Sequence, residues 1–240
     1  MHHSAKNISA TQVSYLLMTL FVLFAQVLFA QPGSTTPPNL KLAFIGDQAA
    51  GDDARAVLNL IKDEGTDAVV HQGDLDYKND PSVWEELVND VLGSDYPYFV
   101  SAGNHDDSKW GGNNGYGKLL EDRMNRLNIS WDGDLGIKSS LTYKDMFMVQ
   151  VAPDVMGSGH AEYLKEQLAK NKAVWSIASW HKNMRKMQVG GKSDDTGWDV
   201  YEEARKGGAI IATAHEHSYS RTHLLSNTRE QVVASTSDTL

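Results

Sequence analysis

The chain has 240 residues, 41% of them hydrophobic, and a formal net charge of −9. That length suits one sizeable domain with a real core, and the acidity argues against a stable nucleic-acid partner or a general affinity for anionic membranes. There is no cysteine, which excludes disulfides, thiolate metal sites and cysteine nucleophiles and leaves the compartment open.

Residues 16–30 (LLMTLFVLFAQVLFA) are apolar except for Thr19 and Gln26, and Lys6 is the only charge before them. The run is short for a spanning helix, which needs about 20 residues. Ala30 followed by Gln31-Pro32-Gly33 fits a cleavage site. Residues 1–30 therefore read as a secretory signal peptide, with an uncleaved N-terminal anchor as the alternative. Either reading expects a secreted, periplasmic or cell-surface protein with no other membrane contact. Residues 31–39, rich in Pro, Ser and Thr, read as an extended linker. Residues 40–240 read as the functional domain.

Residues 40–45 pattern as an apolar strand running into Gly46-Asp47. A helix over 52–64 puts Ala54, Val57, Leu58 and Ile61 on one face. Residues 68–72 form a buried strand ending in Gly73-Asp74. Asp80-Pro81 then opens a helix, with aspartate as cap and proline as first helical residue. Its inner face is Trp84, Leu87, Val88 and Val91. A third strand, 96–101, reaches Gly103-Asn104-His105-Asp106. Strands joined by helical crossovers predict a βαβαβ unit with a parallel sheet.

Residues 107–140 begin rich in Gly and Asn and are placed as an excursion over the sheet edge, with a helix over 118–127. Residues 141–143 and 146–152 read as a hairpin turning at Lys144-Asp145. A helix over 160–170 turns Ala161, Leu164 and Leu168 inward. A strand over 173–180 ends at His181, a short helix spans 200–206, and a strand over 208–214 ends at His215-Glu216-His217. Residues 224–225 and 231–234 are two further strand candidates.

Each strong strand thus ends in a metal-ligating side chain or its neighbour: Asp47, Asp74, Tyr77, Asn104, His181, His215 and His217. Oxygen donors together with imidazoles suit Fe, Mn or Zn. A carboxylate can bridge two cations, and this many ligands suits a metal pair roughly 3.5 Å apart, the arrangement used for phosphoryl chemistry. Among other polar residues, His71 reads as packed, Asp76 as solvent-facing and Glu216 as turned away from its two histidines. Trp110, Trp131 and Trp198 read as loop aromatics able to line a cleft.

Gly46-Asp47, Gly73-Asp74-x-x-Tyr77, Gly103-Asn104-His105-Asp106, Ser179-Trp180-His181 and His215-x-His217 together resemble the five blocks of the calcineurin-like metallophosphoesterases. Within these the chain resembles the purple acid phosphatase branch, over about residues 40–222. Many relatives carry a histidine two residues after the first aspartate. Here that position is Ala49, and Tyr77 stands where the branch places a tyrosinate. Ala214 replaces the glycine usual before His-x-His, and the large plant enzymes' N-terminal β domain is absent. The chain stops soon after the last block, which leaves the C-terminal completeness of the second sheet open.

The resemblance implies a four-layer αββα sandwich of two mixed β-sheets flanked by helices. It also implies two metal ions, Fe(III) plus a divalent Fe, Zn or Mn. Asp74 would bridge them, with Asp47, Tyr77 and His217 completing the first site and Asn104, His181 and His215 the second. It implies hydrolysis of a small phosphorylated substrate, a phosphate monoester, by hydroxide generated at the metals. His105 would be the general acid, and Asp106 would orient it. A phosphodiester or nucleotide pyrophosphate substrate is the nearest alternative, and a non-catalytic metal-binding module the more distant one.

Overall fold

The structure, a computed structural model, describes residues 39–237; the expected leader and all of the linker except Asn39 lie outside the described residues. Chain order gives β1 (Leu42–Ile45), α1 (Asp52–Asp63), β2 (Ala68–His71), α2 (Pro81–Val91) and β3 (Tyr98–Val100). These three strands pair in the order β1-β2-β3, all parallel, with Ile45 beside His71 and His71 beside Val100. The expected βαβαβ unit is present. All four residues of β2 are buried, as a parallel strand covered on both faces requires.

A 3₁₀ turn (Asp107–Lys109) and α3 (Tyr116–Arg126) follow, then β4 (Trp131–Asp134), β5 (Lys138–Tyr143) and β6 (Met146–Val151). The β5–β6 hairpin turns at Lys144-Asp145, both at positive φ. The polar strand β4, Trp-Asp-Gly-Asp, has little strand propensity and escapes a reading based on pattern. Its pairing with β5 makes it a strand. The excursion over 107–140 therefore ends inside the second sheet. The chain continues through α4 (His160–Lys170), β7 (Trp175–Ser179), α5 (Trp198–Lys206) and β8 (Ile210–Ala212). This sheet runs β4-β5-β6-β7-β8, antiparallel to β6 and parallel from there on. An antiparallel hairpin, β9 (Leu224–Asn227) and β10 (Val232–Ser235), pairs with neither sheet.

Period-two alternation along β6 and β7 sets the layering. Met148 and Ile177 join the cluster built on β2, β3 and the first three helices. Val149, Val151 and Ala178 join Leu164, Leu168, Val200 and Tyr201 of α4 and α5. Helices, sheet, sheet and helices thus stack in the expected αββα order. The first sheet is wholly parallel, as the helical crossovers predict, where the resemblance implies a mixed one. On α1, Ala54, Leu58 and Ile61 are buried while Val57 is exposed, so its inner face is narrower than the sequence pattern suggests. All four inner residues expected of α2 are buried, and Asp80 caps that helix by accepting from the Val83 amide.

One charged group is locked inside this frame. Arg123 of α3 is fully buried. Its guanidinium donates to Glu85 at 2.9 Å, to Asn89, and to the carbonyls of Gly93, Ser94 and Tyr96, clamping α3 to the end of α2. Arg123→Met would leave three carbonyls and a largely buried carboxylate without that donor. The expected loss is about 3–5 kcal/mol, the usual penalty for breaking a buried pair, read from the urea unfolding midpoint.

Candidate metal centre

Parallel strands deliver their C-terminal ends to one edge, where α/β sheets place their sites. Here β1, β2, β3, β7 and β8 all do so, and the two sheets are tied together at that edge. Ser101 Oγ of the first sheet donates to the Ser179 carbonyl of the second at 2.9 Å, and within the second sheet the Ala214 amide donates to the His181 carbonyl at 3.0 Å. The loops beyond are drawn close by their backbones. A Cβ on Gly73, whose φ is +92°, would stand 2.6 Å from the Gly103 nitrogen, and one on Gly103 would collide with the Asp74 carboxylate. The Asp47 amide donates to the Gly73 carbonyl and the Gln48 amide to the Asp74 carbonyl, both at 2.9 Å.

Tight turning shows in the backbone. Asp47, Ala49, Asp74, Tyr77 and His215 all have φ between 52° and 72°. For residues with a Cβ this conformation costs roughly 1–2 kcal/mol each, less for aspartate. It persists where surrounding bonds over-determine it.

The side chains form two groups. In one, the Tyr77 hydroxyl donates to Asp47 Oδ1 at 2.8 Å and lies 2.9 Å from His217 Nε2, which is 3.4 Å from the same Asp47 oxygen. In the other, His181 Nε2 lies 3.3 Å from Asp74 Oδ2 and 3.0 Å from His215 Nδ1. The ligand atoms of Asp74, His181 and His215 all fall within 4.8 Å of one another. The Asp74 charge also helps to raise the Tyr77 phenol in the first group. His181 Nδ1 donates to the Gln72 carbonyl at 2.7 Å, which leaves Nε2, the atom that meets Asp74, as the one that would coordinate a metal once its proton is lost. The Asn104 side-chain oxygen is buried at this edge with no hydrogen-bond partner among the described residues.

Electrostatics favour a cation here. Asp47 and Asp74 side chains are 8% and 2% exposed, and among the described residues their charged neighbours are histidines. Burial works to raise Asp74, but the His181 imidazole and the His105 amide outweigh it and hold the carboxyl down to about 2. Burial, then His181, lowers His215 to about 4, keeping it neutral and able to coordinate. Burial and the Asp47 carboxylate push the Tyr77 phenol far up, so it would ionise only beside a cation. Buried carboxylates without Lys or Arg, a neutral imidazole and an orphaned amide oxygen fit a hard or borderline metal.

Several residues sit otherwise than the sequence suggests. Asp106 does not reach toward His105. Its Oδ2 accepts from the Asp74 and Gly103 amides at 2.9 and 2.8 Å, and its Oδ1 from Leu75 at 2.8 Å. The general-acid partner role is therefore replaced by holding the loops, and burial pushes its carboxyl up to about 7 against the pull of those amides. Asp76, expected in solvent, is 1% exposed and accepts from the amides of Lys78, Asn79 and Asp80. Trp110 is buried in the main core beneath Gly136 instead of lining a cleft. His71 is buried as expected, its Nδ1 accepting from the Gly73 amide. Glu216 turns away from the centre and accepts from the Lys192 amide. His105 is half-exposed, its ring 4.8 Å from that of Tyr77 and its Nε2 4.0 Å from Asp74 Oδ2. The Gln72 carbonyl was invisible to sequence reasoning because a backbone acceptor carries no residue signature.

Asp106→Asn places an amide NH₂ where at least one backbone N–H now donates. The expected loss is on the order of 2–3 kcal/mol of stability for the donors left unmet, measured by urea unfolding. A residue that merely oriented His105 would leave the unfolding midpoint unchanged.

A family model described as calcineurin-like phosphoesterase matches residues 40–219. Among solved structures, purple acid phosphatase PPD1 from yellow lupin (Lupinus luteus) seeds has the same fold, with a TM-score of 0.58 at 20% identity over 80% of this chain. The chain spans only 40% of that protein. No curated protein matches. Matched along most of its length and built on the fold of a purple acid phosphatase, the chain belongs to the calcineurin-like phosphoesterase family.

Proposed function

We propose that the protein is an exported binuclear metallohydrolase that cleaves phosphate monoesters. The observation that carries this reading is the pair of adjoining clusters: the ligand atoms of Asp74, His181 and His215 all lie within 4.8 Å of one another, and Tyr77 bonds Asp47 and His217 beside them. Asp47, Tyr77 and His217 would hold Fe(III) with Asp74. Asn104, His181 and His215 would hold a divalent Fe, Zn or Mn with the same carboxylate. The cations would supply a nucleophile from water near neutral pH and positive charge against the phosphoryl oxygens.

The rest of the chemistry falls to the protein. Tyr77, now donating to Asp47, would give up its proton and become an anionic ligand. His105 stands at the open side, free of a carboxylate closer than 4.0 Å. It would donate a proton to the oxygen leaving phosphorus as the P–O bond breaks. The half-exposed position suits a leaving group that points to solvent. Export is supported by the apolar run at residues 16–30.

The test is metal content with a visible spectrum on protein lacking residues 1–30, beside Tyr77→Phe. Two metals per chain and a broad visible band lost in the variant are expected. Two metals without the band would move the protein to a Zn or Mn enzyme, and no metal in folded protein would sink the reading. Turnover of a chromogenic monoester should exceed that of the matching diester; the reverse order makes the protein a diesterase. His105→Ala should slow an alkyl phosphate roughly 10²–10⁴-fold while sparing p-nitrophenyl phosphate, whose leaving group needs no proton. Equal losses on both substrates would remove His105 as the acid.

A further inference from the structure

A neutral imidazole has one N–H and one lone pair, and the partner of the N–H decides which nitrogen can coordinate. For His181 that partner is the Gln72 carbonyl. His215 needs one too. Its Nδ1 is the atom turned to His181, at 3.0 Å. Its Nε2 lies 3.8 Å from Asp195 Oδ2. Two other charged neighbours of His215 meet its main chain. Asp47 accepts from the His215 amide, and Lys192 donates to the His215 carbonyl.

The segment carrying Asp195 is fastened to the centre on both sides. The Asp195 amide donates to the Asn183 carbonyl at 3.2 Å. Asn183, itself 3% exposed, donates from its side chain to the carbonyl of Ala214, the residue before His215, and accepts from the Tyr201 hydroxyl at 2.9 Å. Thr196 Oγ1 donates to the carbonyl of Lys182, the residue after His181. The Asp195 main chain is thus held beside both histidines, while its carboxylate keeps its own rotation. A small side-chain rotation would shorten 3.8 Å to a hydrogen bond.

We propose that Asp195 is the positioning residue of the second metal site, holding the Nε2–H of His215 so that Nδ1 presents its lone pair to the cation. This rests on the binuclear reading above. Such outer partners commonly set metal affinity by 10- to 100-fold. Asp195 carries no sequence signal for this role, because it lies in a loop and no strand ends at it.

Zn(II) titration of the chain lacking residues 1–30, against a competing chelator, tests the assignment in wild type, Asp195→Ala and Asp195→Asn. Wild type should take two Zn(II) per chain. Asp195→Ala should keep the first affinity and weaken the second on the order of 10- to 100-fold. Asp195→Asn, which retains an acceptor oxygen, should fall between. Unchanged second-site affinity in Asp195→Ala would overturn the proposal. So would an equal weakening of both sites, which would mark a general loop role. A wild type that binds fewer than two metals would instead overturn the binuclear reading and this assignment with it.

Discussion

The Asp106 carboxylate ties together two loops that would otherwise be independent. Its two oxygens take the amides of Asp74, Leu75 and Gly103. A buried carboxylate is unfavourable unless dipoles compensate it, and three convergent N–H groups do so. The arrangement requires the main chains after β2 and β3 to touch, which glycine at 73 and 103 permits. Once they touch, the His105 amide reaches Asp74 Oδ1 at 2.9 Å and fixes the orientation of that carboxylate. The most central side chain of the site is thus set by a neighbouring loop more than by its own strand.

The remainder of the edge is strained and charged in a way the fold alone does not relieve. Five residues of the cluster or beside it occupy the left-handed region, and bonds from the Asp47 and Gln48 amides and from the His215 amide to Asp47 tie three of their loops together. Asp47 and Asp74 lie buried with imidazoles for company. A cation would convert this liability into binding free energy, and ligand linkage would return that energy as stability of the folded state. The buried Arg123 network lies away from these loops, clamping α3 to the end of α2, and keeps the first helical layer rigid behind them.

Legibility tracked the kind of signal each part carries. Amphipathic helices were readable: α2 from its Asp80-Pro81 cap, and α4, which has no side-chain cap, from its apolar face and at its observed bounds. The hairpin at Lys144-Asp145 was readable from turn chemistry. Strand β4 was not, since its partner supplies what its composition lacks. The candidate ligands were visible in the sequence because they follow strands. The structure gathers Asp47, Tyr77 and His217 in one group and Asp74, His181 and His215 in another, with Asn104 leaving an unpartnered oxygen nearby. Asp106 and Asp76 were misjudged for one reason. A carboxylate's role depends on which amides surround it, and those amides come from other turns.

By itself the sequence determined the family, the first parallel βαβαβ unit and a set of candidate metal ligands at the strand ends. These follow from local periodicity and from residue chemistry at fixed offsets. Only the tertiary structure decided which side chains support and which face the centre. It turned Asp106 to backbone amides, left His105 open to solvent and set Asp195 beside His215. The physical reason is that these roles rest on distances between segments far apart in the chain, and on main-chain donors and acceptors that every residue possesses alike.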